Sequence, residues 1–288
     1  MSQVLSATQT NQGPESNDSP LTIGGVEFKS RLLLGSGRYA SLEVMQRAIA
    51  ASGTDAVTVA VRRERLNDGA GRNVIDFLDP SQFKIIPNTA GCYDAETAIR
   101  CARMGREILK TIGCEHTDLV KLEVLGDGRT LLPDPIESLR ATEQLVREGF
   151  RVLCYCSDDP ILARRLFQAG VAAVMPAGSP IGSGGGIANP NHLRIIVEDI
   201  KAQQKDFPII VDAGIRTASD AALAMELGAD GVLMNSAVAL ASDPVIMAGG
   251  MNLAVIAGRL TFLAKPMEKN SFASASSPEF GVITTKRR

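Results

Sequence analysis

Eight short runs of β-branched and aliphatic residues, each followed by a longer amphipathic stretch, constrain the fold of this chain most strongly. In stretches such as 41–53 and 218–230 the apolar residues recur at helical spacing, with glycine near the end. Eight strands alternating with helices, without a break in composition, predict an α/β fold of the single-domain (β/α)8 or TIM-barrel type. The strand-like runs are RLLLGSG (31–37), DAVTVAV (55–61), KIIPNTA (84–90), DLVKLEV (118–124), RVLCYC (151–156), AAVMPAG (172–178), PIIVDAG (208–214) and DGVLMNS (230–236).

An open, doubly wound sheet is the alternative arrangement of these elements. No GxGxxG pattern opens the first helix, so a dinucleotide-binding fold of that type has little support. The barrel is predicted to occupy residues 21–268. The polar segment 1–20 is predicted to be a disordered extension, and residues 269–288 form a polar tail that is either disordered or folded over a neighbouring site.

Composition argues against several classes of function. The net charge is −2 and the pI is near 5.8, so no basic surface for nucleic acid or an anionic membrane is expected. Aromatic residues make up only 4% of the chain, which suits packed aliphatic layers better than an aromatic binding groove. No apolar run approaches the ~20 residues needed to span a bilayer, and the N-terminus lacks the features of a secretory signal.

The five cysteines are odd in number and form no CxxC pair. A disulfide framework is therefore not expected, and the cysteines favour a reducing, cytoplasmic location. Cys154 and Cys156 share one face of a predicted strand, where a thiol pair or metal site is conceivable. The two histidines, His116 and His192, complete no ligand pattern with them, so buried structural thiols are preferred and no metal or cofactor is predicted.

The fourth predicted strand carries two charged residues. Because side chains alternate along a strand, Lys121 and Glu123 share the face opposite the apolar residues and are predicted to point into the barrel. Burying both charges is costly unless they are paired or functional. Burial is expected to lower the pKa of Lys121 and leave a free amine that forms a Schiff base with a carbonyl. A structural Lys–Glu ion pair is the alternative.

Asp212 ends the seventh predicted strand. It is a candidate general acid or base facing Lys121 across the barrel, because imine chemistry needs proton transfers at carbon and oxygen. The alternative is an aspartate that caps the following turn or helix.

A phosphate site is predicted where the sixth, seventh and eighth strands end. The glycine-rich loop GSPIGSGGGI after the sixth strand allows backbone N–H groups to point at an anion, although a flexible connector has the same composition. Loops after the seventh and eighth strands, with a helix N-terminus beside them, form the usual phosphate site of such barrels. The residues concerned are Gly182, Ala213, Gly214, Asn235 and Ser236.

Two further polar segments follow predicted strands. VRRERLNDG (61–69) brings Arg62, Arg63 and Arg65 to the upper rim, where a solvated loop is preferred to a substrate or partner contact. In NTAGCYDAE (88–96) the Asn and Thr either line the site or cap the next helix.

Together the motifs resemble one family, the bacterial thiazole synthases, which form the thiazole phosphate of thiamin. The resemblance runs from about residue 21 to about residue 280 and leaves only the N-terminal extension outside. Its matching segments are SRLLLGSGRY, AVTVAVRR, IPNTAGCY, VKLEV, LLPDP, DDP, VMPAGSPIGSG, IIVDAGI, SDAALAMELGADGVL and ASSP.

The resemblance implies that the ketone of 1-deoxy-D-xylulose 5-phosphate forms an imine with Lys121. Tautomerisation then moves the carbonyl to C3, and sulfur arrives on the C-terminal thiocarboxylate of a small sulfur-carrier protein. Dehydroglycine, made by a separate oxidase or lyase, condenses to close the ring, and a homotetramer is implied. Glu123 and Asp212 are the implied acid/base groups, and the implied binding positions are Gly182, Ala213, Gly214, Asn235 and Ser236.

Two positions depart from the family pattern. Ser236 stands where the family usually has threonine and keeps its hydroxyl and N–H donors, whereas Arg216 replaces a glycine and either contacts a phosphate or partner or points to solvent. Another Schiff-base barrel enzyme, such as an aldolase or isomerase, and a catalytically silent docking barrel are the alternative functions. Spacing does not separate Glu123 from Asp212 as the group that moves each proton.

Overall fold

The computed structural model describes residues 18–60 and 74–277. A hairpin of β1 (Leu21–Ile23) and β2 (Val26–Phe28) precedes eight parallel strands. These are β3 (Leu32–Gly35), β4 (Ala56–Ala60), β5 (Lys84–Asn88), β6 (Leu119–Leu122), β7 (Arg151–Cys156), β8 (Ala173–Pro176), β9 (Ile210–Asp212) and β10 (Gly231–Met234). The helices are α1 (Leu42–Ser52), α2 (Ala95–Thr111), α3 (Pro135–Arg147), α4 (Pro160–Gln168), α5 (Pro190–Gln203), α6 (Ala218–Glu226), α7 (Ser236–Ala239) and α8 (Pro244–Ala264).

The eight parallel strands close into a barrel. Their order is β8-β7-β6-β5-β4-β3-β10-β9, and bridges from Val174 to Ile209 and from Ala177 to Asp212 join the two ends. The predicted (β/α)8 barrel is therefore confirmed, and the alternative of an open sheet is wrong. The C-terminal ends of all eight strands consequently meet around one opening, which is where barrel enzymes place their chemistry.

The β1–β2 hairpin covers the opposite, N-terminal end of the barrel. Its residues Leu21, Ile23, Val26 and Phe28 are buried in one apolar cluster with inward-facing residues near the start of the barrel strands, such as Leu119. This hairpin was not predicted from the sequence, because strands of three residues are too short to show a periodicity.

Four helices begin with the same pair of residues, an acidic or amide side chain followed by proline. The side chain at the N-cap accepts backbone N–H bonds of the first turn, and proline fits the first helical position, where its missing N–H has no partner to lose. The capping residues are Asp134 in α3, Asp159 in α4, Asn189 in α5 and Asp243 in α8.

Asp18 joins the start of the described chain to the barrel and to α8. Its carboxylate lies 2.9 Å from a guanidinium nitrogen of Arg31 and 2.6 Å from one of Arg259. Burial opposes ionisation of Asp18, but the hydrogen bonds and charges of the two arginines outweigh it, so its pKa is lowered. The segment before β1 is thus held by ion pairs.

Helix α8 contradicts the expectation that no segment has the length and composition to span a bilayer. Its 21 residues meet that criterion by length and composition alone. The run is hard to recognise in the sequence because Asn252, Arg259 and Thr261 interrupt it. One face of α8 packs against α1 and α6, and the other leaves Ile246 and Leu253 exposed.

Several predicted segments lie wholly or partly outside the described residues. They include residues 1–17 of the N-terminal extension, the loop 61–69 with its three arginines, and residues 278–288. Residues 265–277 are exposed and contain neither helix nor strand.

Candidate active site

Three buried charged residues meet at the C-terminal end of the barrel. Lys121 lies on β6, Glu123 follows it, and Asp212 ends β9. The Nζ atom of Lys121 is 2.7 Å from Oδ2 of Asp212 and 3.8 Å from Oε2 of Glu123. None of the three residues is more than 5% exposed. The structure therefore brings together the three residues that the sequence predicts as catalytic.

The direction of these side chains follows from strand alternation. Val120, Leu122 and Val124 pack in the layer between strands and helices, whereas Lys121 and Glu123 take the opposite face. The prediction that both charges point into the barrel is thus confirmed. The proposed alternative of an isolated Lys–Glu pair is incomplete, because Asp212 is the nearer partner of the lysine.

The expected pKa shift of Lys121 is wrong in sign. Burial on its own lowers the pKa of Lys121, as expected from the strand pattern, but the negative charges of Asp212 and Glu123 outweigh burial and raise it. Lys121 is therefore an ammonium while it pairs with the two carboxylates. It becomes a nucleophile only after its proton moves to another group.

Thr89 holds the end of β6 in place. Its hydroxyl donates to the backbone carbonyl of Glu123 at 2.7 Å and accepts the backbone N–H of Glu123 at 2.8 Å. Asn88 and Thr89 were predicted either to line the site or to cap a helix. Asn88 lines the cavity onto which Lys121 opens, whereas Thr89 holds the backbone of Glu123 at the end of β6. The cap of α2 is Asp94 instead.

Tyr155, on β7, is buried beside the charged group. The centre of its ring lies 5.7 Å from Nζ of Lys121, and its hydroxyl has no hydrogen-bond partner among the described residues. Burial first, and then the charges of Asp212 and Glu123, raise the pKa of this phenol, so it stays protonated. Tyr155 was not predicted from the sequence, in which the two cysteines are the notable residues of this strand.

The three charged residues line a cavity of about 1140 Å³. Its wall also includes every residue that the sequence predicts for phosphate binding. These are Gly182, Ala213, Gly214, Asn235 and Ser236.

The backbone of the predicted phosphate segments is tightly packed. Ala213 and Gly214 have φ angles of +69° and +78°, in the left-handed region that disfavours residues with a β-carbon. A β-carbon on Gly214 would lie 2.5 Å from the backbone nitrogen of Ser179, so the loops after β8 and β9 are in direct contact. The predicted helix start at Ser236 exists, but α7 has only four residues, too few for a strong helix dipole.

Arg216 is exposed on the rim of this cavity, and its aliphatic stem lies beside Gly184. The backbone N–H groups of Arg216 and Thr217 donate to Asp220 at 3.0 and 2.8 Å, which fixes the start of α6.

Two further cavity residues, Arg38 and Tyr39, were not predicted. Both belong to the loop after β3, and Nη1 of Arg38 lies 3.4 Å from Oγ of Ser236. Burial raises the pKa of Tyr39 to about 12. Their position in the sequence could have identified them as site residues, since the segment SGRY follows the first barrel strand at its C-terminal end.

The cysteines are all free thiols, and Cys154 and Cys156 are fully buried against the helix layer. This agrees with the structural interpretation of that pair. Within residues 18–60 and 74–277, no group of three or more His, Cys, Asp or Glu is arranged to hold a metal.

Comparison with known proteins identifies the family. The sequence-family model for thiazole biosynthesis protein ThiG matches residues 22–278 of this chain. Thiazole synthase of Rhodopirellula baltica is 57% identical to this chain, and the match covers 94% of each protein. Thiazole synthase of Thermodesulfovibrio yellowstonii is 54% identical, and the match covers 93% of this chain and 100% of the relative. The BexX/CysO complex of Amycolatopsis orientalis contains a chain with a TM-score of 0.75, 33% identity, and coverage of 88% of this chain and 100% of its own. The chain belongs to the ThiG family of thiazole synthases.

Proposed function

We propose that this site forms the thiazole phosphate of thiamin through an imine between Lys121 and the ketone of 1-deoxy-D-xylulose 5-phosphate. Family membership makes the chain an enzyme of thiamin thiazole formation. The observation that carries the Schiff-base mechanism is a buried lysine between two carboxylates, opening into a large cavity at the catalytic end of a barrel. No cofactor is required by this chemistry.

The first step needs a proton acceptor, because Lys121 carries a proton before it reacts. Asp212, at 2.7 Å, is the nearest group that can accept the proton. The free amine attacks C2 of the ketose, and the carbonyl oxygen leaves as water when the imine forms. Removal of the proton from C3 gives an enaminol. A proton is then added at C2 while the C3 hydroxyl loses its proton, which leaves a ketone at C3 and an amine at C2, and Glu123 and Asp212 share these transfers.

The phosphate is proposed to bind where the loops after β8, β9 and β10 converge. Gly182, Ala213, Gly214, Asn235 and Ser236 supply backbone N–H groups and short polar side chains there. Such groups bind an anion closely because no bulky side chain intervenes.

Sulfur is proposed to come from the thiocarboxylated C-terminus of a small carrier protein, and the remaining atoms from dehydroglycine, which a separate oxidase or lyase makes. A cavity of about 1140 Å³ exceeds the usual range for a single small ligand, which leaves room for the end of a protein chain beside the sugar. A relative found in complex with a second protein, CysO, supports a protein partner.

The enzyme is proposed to be a cytoplasmic homotetramer. The outer face of α8 supports self-association, since Ile246 is 75% and Leu253 68% exposed. A contiguous exposed apolar face of this kind usually marks a protein interface. Sedimentation of the purified chain measures the number of subunits.

The decisive experiment traps the imine. Borohydride added with 1-deoxy-D-xylulose 5-phosphate should leave a covalent adduct whose mass and position peptide mass spectrometry assigns to Lys121. Lys121→Ala and the charge-preserving Lys121→Arg should give none, and an adduct in either variant means that another amine reacts. Thiazole formation should also require the thiocarboxylated carrier, since a product made without it indicates a different Schiff-base enzyme.

The acid/base assignment makes a separate prediction. Asp212→Ala should still form the imine, because loss of the nearest carboxylate lowers the pKa of Lys121 and supplies free amine without a proton acceptor, but the reaction should stall before ring closure. The adduct measured by mass spectrometry should persist while the thiazole product is lost. Full product formation in this variant contradicts a proton-transfer role for Asp212.

A further inference from the structure

Arg38 lies between two of the segments proposed to hold the phosphate. Its Nη1 atom is 3.4 Å from Oγ of Ser236, after β10. The same atom is 3.7 Å from the position that a β-carbon would take on Gly182, after β8. The guanidinium therefore lies where the loops after three different strands meet, at the solvent-exposed rim of the cavity.

The proposed phosphate contacts lack a positive charge. Glycine, alanine, asparagine and serine are neutral, and α7 has only four residues, so its dipole contributes little. A phosphate ester carries a charge of about −1.5 to −2 at pH 7. The cavity already contains the carboxylates of Asp212 and Glu123, so a dianion held by neutral groups alone would be poorly compensated.

Three cations among the described residues line this cavity: Lys121, Arg216 and Arg38. Lys121 is occupied by its two carboxylate partners. Arg216 is exposed, as Arg38 is, but the part of Arg216 that lies against the glycine-rich loop, at Gly184, is its aliphatic stem and not its guanidinium. Of these three cations, Arg38 is thus the one whose guanidinium lies beside both Gly182 and Ser236.

The local structure of Arg38 leaves its donors available. Arg38 has no ion-pair partner among the described residues, and its one side-chain hydrogen bond, to Ser236, is long. A guanidinium has five N–H donors in a planar fork that matches the oxygens of a phosphate. The backbone of Arg38 has a φ of +71°, so this loop holds a non-glycine residue in a conformation that costs about 1 kcal/mol or more.

We propose that Arg38 binds the phosphate of the sugar substrate and selects phosphorylated ketoses over their unphosphorylated counterparts. The inference rests on the proposed function, since it concerns the same substrate, and it adds a charged specificity residue to a site otherwise made of neutral groups. Arg38 contributes to binding, not to the steps at the imine.

The test compares two sugars in four proteins. The wild type, Arg38→Met, Arg38→Lys and the control Arg216→Met are trapped with borohydride at increasing concentrations of 1-deoxy-D-xylulose 5-phosphate or 1-deoxy-D-xylulose. In Arg38→Met the half-saturating concentration of the phosphorylated sugar should rise roughly 10- to 100-fold, and that of the free sugar should not change. Arg38→Lys should fall between, and Arg216→Met should resemble the wild type.

A second measurement is independent of the imine. Inorganic phosphate is titrated calorimetrically into the wild type, Arg38→Met and Arg216→Met, with the melting temperature and circular dichroism of each protein recorded. Weaker phosphate binding in Arg38→Met alone supports the proposal. Equal phosphate binding in the wild type and Arg38→Met overturns it.

The two experiments separate failure of the inference from failure of the proposed function. Equal losses for both sugars in Arg38→Met, or the larger loss in Arg216→Met, overturn the role of Arg38 while the imine stands. No adduct at Lys121 in the wild type refutes the Schiff-base function, and the phosphate titration then decides the role of Arg38 alone.

Discussion

The pKa of Lys121 should depend unequally on its two carboxylate partners. Asp212→Asn and Glu123→Gln each remove a negative charge that stabilises the ammonium, so each should lower the pKa of Lys121 and let the effect of burial dominate. Coulomb energy falls with distance, and the partners lie at 2.7 and 3.8 Å. At equal dielectric Asp212 therefore contributes about 1.4 times as much as Glu123.

The assay is a titration of the Lys121 side chain by NMR in protein labelled with ¹³C at the ε-carbon of lysine. The resonance that is missing in Lys121→Arg assigns the signal. The wild type should titrate at the highest pH, Glu123→Gln lower, and Asp212→Asn lowest. Glu27→Gln, which removes an exposed carboxylate on the hairpin at the opposite end of the barrel, should leave the titration unchanged.

Two results refute this reasoning. If the pKa falls further in Glu123→Gln than in Asp212→Asn, the nearer carboxylate is not the dominant one. If neither variant differs from the wild type while both stay folded by circular dichroism, the carboxylates do not stabilise the ammonium, and burial would then have to set its pKa.

Three predictions concern stability, each measured by denaturant unfolding. Asp18→Asn should cost about 1–3 kcal/mol at pH 7, because it weakens two charged hydrogen-bonded contacts. Since the folded pKa of Asp18 is lowered, this contribution is present above about pH 4 and should disappear as the pH falls through the folded pKa; a difference that stays constant down to pH 2 contradicts it. Tyr155→Phe removes a buried hydroxyl without a partner and should leave stability unchanged or raise it by about 1 kcal/mol, whereas a clear loss would reveal a partner. Gly25→Ala should cost about 1–2 kcal/mol for its positive φ alone, since no atom lies within 4 Å of the new β-carbon. Gly214→Ala should cost more, because its β-carbon would meet Ser179. Equal costs for the two substitutions contradict the steric argument.

The inward direction of Lys121 and Glu123 was predictable because it depends only on local alternation. A strand with apolar residues on one face must turn its charges to the other, whatever the rest of the fold does. The position of Asp212 at 2.7 Å from Lys121 was not predictable, since it depends on how β9 and β6 face each other across a closed barrel. The error in the pKa of Lys121 has the same origin: burial is evident in the strand pattern, whereas the distance to a carboxylate is not.

Arg38 shows a different limit. Its position after a barrel strand marks it as a rim residue, but rim arginines are common and usually solvated. What distinguishes Arg38 is a left-handed backbone that directs its guanidinium towards Ser236 and Gly182, and a non-glycine residue in that conformation cannot be inferred from residue type. The β1–β2 hairpin was missed for a related reason, because three residues carry too little pattern.

A raised pKa is compatible with a nucleophilic Lys121 because of where its proton can go. On the proposed mechanism the proton passes from Nζ to Asp212 across 2.7 Å, between groups that are only 5% and 3% exposed. The transfer replaces two buried charges by two neutral groups and so removes the desolvation cost of both ions, which offsets the lost attraction between them. The neutral acid then stands where it can return the proton to the oxygen that leaves as water. Burial alone would have produced a free amine, whereas Asp212 beside Lys121 keeps the proton within the site for the next step.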